Sequence, residues 1–324
     1  MSVQAIESIR NFGLIGVYVL EPAEPLPPMT QEDLEFERFQ IKAVSAIEEE
    51  LDRILKTRKQ SRIQTIADMV IRNYGHLDEK INFYQNLRSL EDYVSRHSLN
   101  VAILCAMITH VMNIRREEQY HTVCAALLHD MGKLKKHEDV YFGAPYSRED
   151  AIRNCETQEE AYSVIEDAFA TEGPAIRRIC QQAAGKQLDL FPEEGKESRY
   201  KMLEGSNVLL VANRYDEITA MTLQGTAQSE VKAAQELLEH PEVYDPETVQ
   251  ALLRSINILP PGASVELSTG EKALVLRENK ENVLCPTVVS FRDNSILDLA
   301  LPQNEDIQIV DVMKTMDNRY ILKK

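Results

Sequence analysis

The sequence predicts a mainly α-helical protein with a helical extension at its N-terminus and a small β-rich segment at its C-terminus. Three observations predict this. From about residue 76 to 256, apolar residues recur at three- and four-residue spacing between short Pro- or Gly-containing breaks. An earlier helical pattern runs from about residue 30 to 73. After Pro260-Pro261-Gly262 the period changes to two, with turn residues between short β-branched runs. The 324 residues divide accordingly into an extension at 1–75, a helical domain at 76–256 and a β-rich segment at 257–324.

Taken in order, GLIGVYVL at 13 to 20 reads as one buried strand. EPAEPLPPM at 21 to 29 holds four prolines and can be neither helix nor central strand. Thr30 with Asp33 resembles an N-cap with an acidic first turn. In the helix that follows, Val44, Ile47, Leu51 and Ile54 form a narrow apolar stripe. Two readings stand for it: a pairing or homodimer surface, or a helix packed on its own domain. Val101, Leu104, Cys105, Ile108 and Val111 give the helix from His97 to Ile114 a strongly apolar face, and Thr122 to Met131 is similar. Residues 137 to 150 read as a loop. Ala161 to Ala168, Gly173 to Ala184 and 204 to 221 read as helices, with a break from Gln187 to Ser198. A short helix runs through Leu252 and Leu253. The tail places two strands around Ser268-Thr269-Gly270, then strand-like runs in CPTVVSF and DIQIVDVM.

The composition narrows the function classes. Hydrophobic residues make up 44% and charged residues 27%, which excludes disorder over most of the length. A net charge of −16 repels nucleic acid polymers and anionic lipid, and no basic cluster offsets it. There is no Trp, so single-strand stacking platforms are not expected. Five widely spaced Cys without a CxxC read as reduced, mostly buried thiols. The first residues lack the pattern of a signal peptide, and the apolar run from Leu14 to Leu20 is too short to span a bilayer. A soluble, cytoplasmic protein is expected.

The string AALLHDMGKL at 125 to 134 carries the most chemistry. His129 and Asp130 sit at the end of an apolar helical run, and Gly132 follows where a helix would end. Imidazole and carboxylate side by side are ligands for one divalent metal such as Fe, Mn or Zn. Lys133 adds a cation able to meet a phosphate. His97, at the start of another apolar helix, supplies a third ligand if the two helices lie side by side. The competing readings are a structural or capping His97, and a His129–Asp130 pair that merely closes a helix end.

HSLNVA, LLHDMGKL and LLVANRYDEITA together resemble the HD superfamily of metal-dependent phosphohydrolases. The likeness is closer to its HD-GYP branch, which pairs an "RHS..VA" helix with an "LLHDxGK" helix and a later "VADxYDAxTS" helix. It covers roughly residues 85 to 310, the tail from INILPPG included. The resemblance implies hydrolysis of cyclic dimeric GMP by metal-assisted attack on a phosphodiester at a site of two or three metals. It implies His97, His129 and Asp130 as ligands, with Asp130 and Lys133 as catalytic groups and Lys133 on the phosphate.

The departures from that pattern matter as much. The family's fourth HD ligand, the first Asp of "VADxYDA", is Asn213 here, able to coordinate but without charge. Asp216 matches the second Asp, which in the family is usually not a ligand. The His of "HPxxGxxIL" falls on Thr157, and the two His of "HHExxDGxGYP" fall on Gln182 and Ala183. No His occurs between His137 and His240 to replace them. His110 reads as surface, His121 as a cap and His137 as the best spare ligand. The set His97, His129, Asp130 and Asn213 suits one ion better than two. Two functions follow. The favoured one is a degenerate HD-GYP-like signalling module that binds a nucleotide or cyclic dinucleotide. The other is an active HD phosphohydrolase with an altered substrate, such as a nucleotide monophosphate.

Overall fold

The computed structural model describes residues 31–83, 85, 87–135, 147–191, 201–222 and 227–313. The predicted strand at 13–20, the Pro-rich stretch, the Thr30 cap and His137 lie outside the described residues. Helix α1 spans Gln31–Thr57 and α2 spans Ile63–Tyr74. The single helical pattern expected to residue 73 is therefore two helices. Arg58 takes a positive φ of 55°, which ends α1. The buried Glu50 carboxylate then accepts from the backbone N–H of Ser61 and, at 2.9 Å, of Arg62, so it satisfies donors at the start of α2.

Helix α3 (Tyr93–Val111) is buried on nearly every side and forms the centre of the molecule. Helices α1, α2, α4 (Arg116–Leu128), α7 (Glu204–Thr219) and α9 (Pro246–Ser255) surround it. Val44, Ile47, Leu51 and Ile54 are buried, with α1 against α3. The packed reading of that stripe holds, and the stripe is not available to a second copy. One hydrophobic cluster runs from Ala43 to Ile309. The helices at 31–74 thus pack into the main core.

After α4 the chain turns through a short 3-10 helix, Met131–Lys135, then continues in α5 (Arg148–Phe169) and α6 (Gly173–Gln187). Helix α5 opens with a capping box, in which Ser147 and Asp150 satisfy each other's backbone N–H. It therefore starts thirteen residues before the helix expected from Ala161, because the polar and charged residues of its first half hide the helix period. Helix α8 (Glu230–Glu239) precedes α9.

The tail is a five-stranded antiparallel sheet in the order β4-β3-β2-β1-β5. The strands are β1 (Ser264–Leu267), β2 (Lys272–Arg277), β3 (Thr287–Ser290), β4 (Ile296–Asp298) and β5 (Ile309–Val312). Val265 pairs with Ala273 across the first hairpin, whose turn places Gly270 at φ 79°. Val265, Leu267, Ala273, Val275 and Ile309 turn inward, and Gln235 of α8 donates to Ile309 O at 2.9 Å. The segment joining α2 to α3 is fastened at both ends. Ile81 bridges to Ile256 after α9, and Arg88 N donates to Met221 O beyond α7 at 2.8 Å. That brings Gln85 and Arg88 beside α7.

Candidate metal centre

Three elements bring the predicted residues together. Helix α3 carries His97 in its second turn, α4 delivers His129 and Asp130 at its end, and α7 presents Asn213 and Asp216. All five are buried. His97 lies inside its helix and so is no cap.

The two imidazoles have their proton positions set by their neighbours. His97 Nδ1 lies 2.6 Å from Asp216 Oδ2, and a carboxylate can only accept, so Nδ1 carries the hydrogen. His129 Nδ1 lies 2.8 Å from the Ala126 carbonyl and must donate as well. Both Nε2 lone pairs then face each other at 3.1 Å. Asn213 Oδ1 lies 2.8 Å from His97 Nε2 and 2.9 Å from His129 Nε2. Asp130 Oδ2 lies 3.4 Å from His97 Nε2. Burial lowers the His129 pKa and outweighs the opposing pull of Asp130, which favours the neutral ring. Convergent lone pairs without a proton between them repel, and a cation satisfies all of them at once. These separations are also the edges expected of ligands about 2.1 Å from a shared ion. The donor set therefore fits a single divalent metal.

A second layer of contacts fixes the ligands. Asp216 accepts from His97, from Arg88 Nη1 at 2.7 Å and Nη2 at 2.8 Å, from Gln85 at 2.8 Å and from Asn100 at 3.0 Å. Burial works to raise its pKa, but Arg88 and His97 outweigh it and hold the carboxyl well below the usual range. Carboxylate–histidine pairs of this kind orient a ligating ring and raise its basicity. Burial likewise opposes ionisation of Asp130, and Lys133, His129 and His97 overcome it. Tyr162 OH donates to the His129 carbonyl at 3.2 Å.

Residues 94–221 match the family model of the HD domain. The matched stretch is similar to HD domains, and it contains every residue of the centre except Gln85 and Arg88. HD domains bind divalent metals and mark a family of metal-dependent phosphohydrolases. No curated protein and no solved structure matches the chain at a significant level. Among the described residues, His97, His129 and Asp130 form the one group of three His, Cys, Asp or Glu side chains with ligand atoms close enough for a single ion.

Several expectations are revised. Gly132 is not a helix C-cap. It sits in the 3-10 helix, where a Cβ would come within 2.6 Å of the Thr157 carbonyl and of Gln158 Oε1. Gly is needed for that close approach of the HD domain's turn to α5. His121 lies inside α4 with its ring tilted toward that of Tyr120, so it caps nothing. His110 is partly exposed and binds Asp78 at 2.9 Å, far from the centre in role. Thr157, where the resembled motif has a His, brings no imidazole to the centre. Its neighbour Gln158 meets Asp130, with Nε2 at 3.2 Å from Oδ1. Gln182 accepts from Leu203 N and from Ser206 Oγ, both at 2.9 Å, so it organises the start of α7. Lys133 Nζ lies 2.6 Å from Asp130 Oδ2. Sequence reasoning missed Arg88, Gln85, Gln158 and Glu217. The signal for the last was available: Glu217 is one helical turn from Asn213.

Proposed function

We propose that the chain is a degenerate HD-GYP-like signalling protein. Its HD domain holds one divalent transition metal and binds a nucleotide or cyclic dinucleotide, without efficient cleavage of cyclic dimeric GMP. The environment of Asp130 supports this reading most directly. Lys133 Nζ takes Oδ2 and Gln158 Nε2 takes Oδ1. Each oxygen thus already accepts one donor, which weakens the carboxylate as a bridge between two ions while leaving a lone pair for one. Ala183 lines the same cavity and offers no ligand atom, and Gln182 is engaged at α7. A two-metal clamp on attacking and leaving oxygens has no ligand set among the described residues.

His97, His129, Asp130 and Asn213 would hold the single ion, and the mixed imidazole–oxygen set suits Fe, Mn or Zn. When bound, such an ion supplies Lewis acidity toward a phosphate oxygen. The other groups act through their own chemistry. Asp216 keeps the His97 tautomer fixed. Lys133, at the wall of a cavity of about 40 Å³, offers positive charge to a phosphate. That volume admits little more than a water-sized group, so a dinucleotide reaches Asp130 only if the lining side chains part. The acidic overall charge adds no attraction for such a ligand.

An active mononuclear phosphohydrolase is the second reading, and the intact set His97, His129, Asp130 and Lys133 favours it. Metal analysis after loading with Mn²⁺ or Fe²⁺ separates the two, together with assays on cyclic dimeric GMP and nucleoside monophosphates. One metal per chain is expected, lost in the His129→Ala, Asp130→Ala double variant, with no cyclic dinucleotide turnover. Turnover of cyclic dimeric GMP that disappears in the variant would sink the degenerate reading. Absence of metal at saturation would sink both.

A further inference from the structure

Asn213 is a ligand only if its amide oxygen, and not its NH₂, faces the two imidazoles. The two orientations have nearly the same shape, and inside the centre the wrong one is well satisfied. Turned around, the NH₂ could donate to both Nε2 lone pairs and close the site with hydrogen bonds. Something outside the centre must therefore choose the orientation.

Glu217 stands on the far side of that amide. It lies four residues along α7, on the same face as Asn213, and is buried. Its Oε1 accepts from Asn213 Nδ2 at 3.3 Å. Its Oε2 is anchored by Gln187 Nε2 at 3.1 Å and faces Arg214 Nη1 at 3.4 Å. A carboxylate cannot donate, so a reversed Asn213 would set two acceptor oxygens against each other at that distance. The sequence shows the same relation. Where the resembled motif reads "VADxYDA", this chain reads VANRYDE at 211 to 217. A carboxylate is missing at 213, and one stands at 217 in place of Ala.

We propose that Glu217 is a positioning residue that locks the Asn213 amide with its oxygen toward His97 and His129, and so makes a neutral side chain a competent metal ligand. This inference rests on the single-metal reading above. Outer contacts that orient a ligand typically change metal affinity about 10- to 100-fold. The effect must also depend on the amide. An Asp at 213 presents an oxygen whichever way it turns, so in that background Glu217 has nothing left to orient.

The test is Mn²⁺ affinity, by calorimetry or by electron paramagnetic resonance of free Mn²⁺. Four proteins are compared: wild type, Glu217→Ala, Asn213→Asp and the double variant. The expected result is a loss of about tenfold or more from Glu217→Ala in the wild-type background, and a much smaller loss in the Asn213→Asp background. Equal losses in the two backgrounds would mean that Glu217 acts through its charge or through folding alone, and would overturn the proposal while leaving the metal reading intact. Failure of both wild type and Asn213→Asp to bind Mn²⁺ would overturn the metal reading and this inference with it. A metal-free readout keeps the question open to refutation if a variant binds poorly because it is unstable. In side-chain amide NMR spectra, the Asn213 NH₂ signals, identified by their loss in Asn213→Asp, should shift in Glu217→Ala. Unshifted signals would show that no such bond exists.

Discussion

Asp216 accepts from five donor atoms on four residues without touching water, and that crowding decides its behaviour. Removing Arg88 would leave a buried carboxylate short of its strongest partner. Arg88→Ala should therefore destabilise the protein by about 3–5 kcal/mol, read from urea unfolding. The same group gives a pH signature. The folded carboxyl titrates below its unfolded value of about 3.9, so its stabilisation is complete above about pH 5 and is lost as the pH falls toward the folded value. His129 acts in the same direction from a higher pH. Burial lowers its pKa, so folded protein resists a proton that unfolded chain accepts below about pH 6.5. In metal-free protein the urea midpoint should fall in two stages on acidification, the first below about pH 6.5 and the second below about pH 5. Asp130 contributes to the same stage, so Asp216→Asn should shrink it without abolishing it, and an unaltered slope there would refute the part assigned to Asp216.

Elements meet at this centre through backbone contacts as much as through side chains. The 3-10 turn of the HD motif touches α5 at Gly132, where Gly132 N donates to Gln158 Oε1 at 2.9 Å. Gly132→Ala drives a methyl group against the Thr157 carbonyl. A cost of about 1–3 kcal/mol is expected, together with displacement of Gln158 from Asp130. Calorimetric unfolding reads the first effect, and a changed metal stoichiometry or affinity reads the second. At the other side of the core, Glu50 closes the start of α2. Glu50→Ala strands two backbone donors and should cost about 1–3 kcal/mol in the same measurement. A loss below 0.5 kcal/mol would indicate that water replaces the carboxylate there, at roughly the level of a surface change.

For the whole molecule, the decisive fact is that α1 and α2 cover α3. Ile47, Leu51, Ile54, Ile63 and Val70 are all fully buried there. Deleting residues 1–75 would expose that apolar face to water at roughly 25 cal/mol per Å². The truncated chain should lose cooperative thermal unfolding and bind hydrophobic dyes. A truncated chain that melts sharply and stays monomeric by light scattering would show instead that residues 76–324 fold alone. The sheet is joined to the same core through α8, and Lys80 ties it to the α2–α3 segment by an ion pair with Glu278 at 2.9 Å.

Some of this was legible in the sequence because it is local. The helix period around Val101 to Val111 and the Ser268-Thr269-Gly270 turn depend on neighbours a few residues apart, so the mainly helical fold and its β-rich tail could be read directly. His97, His129 and Asp130 could be read too, since their chemistry and motif spacing stand out. The reverse is true of Arg88 and Gln158. Arg88 meets Asp216 across 128 positions of chain, and Gln158 meets Asp130 across 28. No short-range pattern encodes such pairings. By itself, then, the sequence determined the mainly helical class, the hairpin and three candidate ligands. Only the tertiary structure decided that the α1 stripe faces its own core, which nitrogen of each imidazole is free, and that donors cover both oxygens of Asp130. The physical reason is common to all three: burial and hydrogen-bond direction are properties of what lies across the core, and folding, not chain order, supplies it.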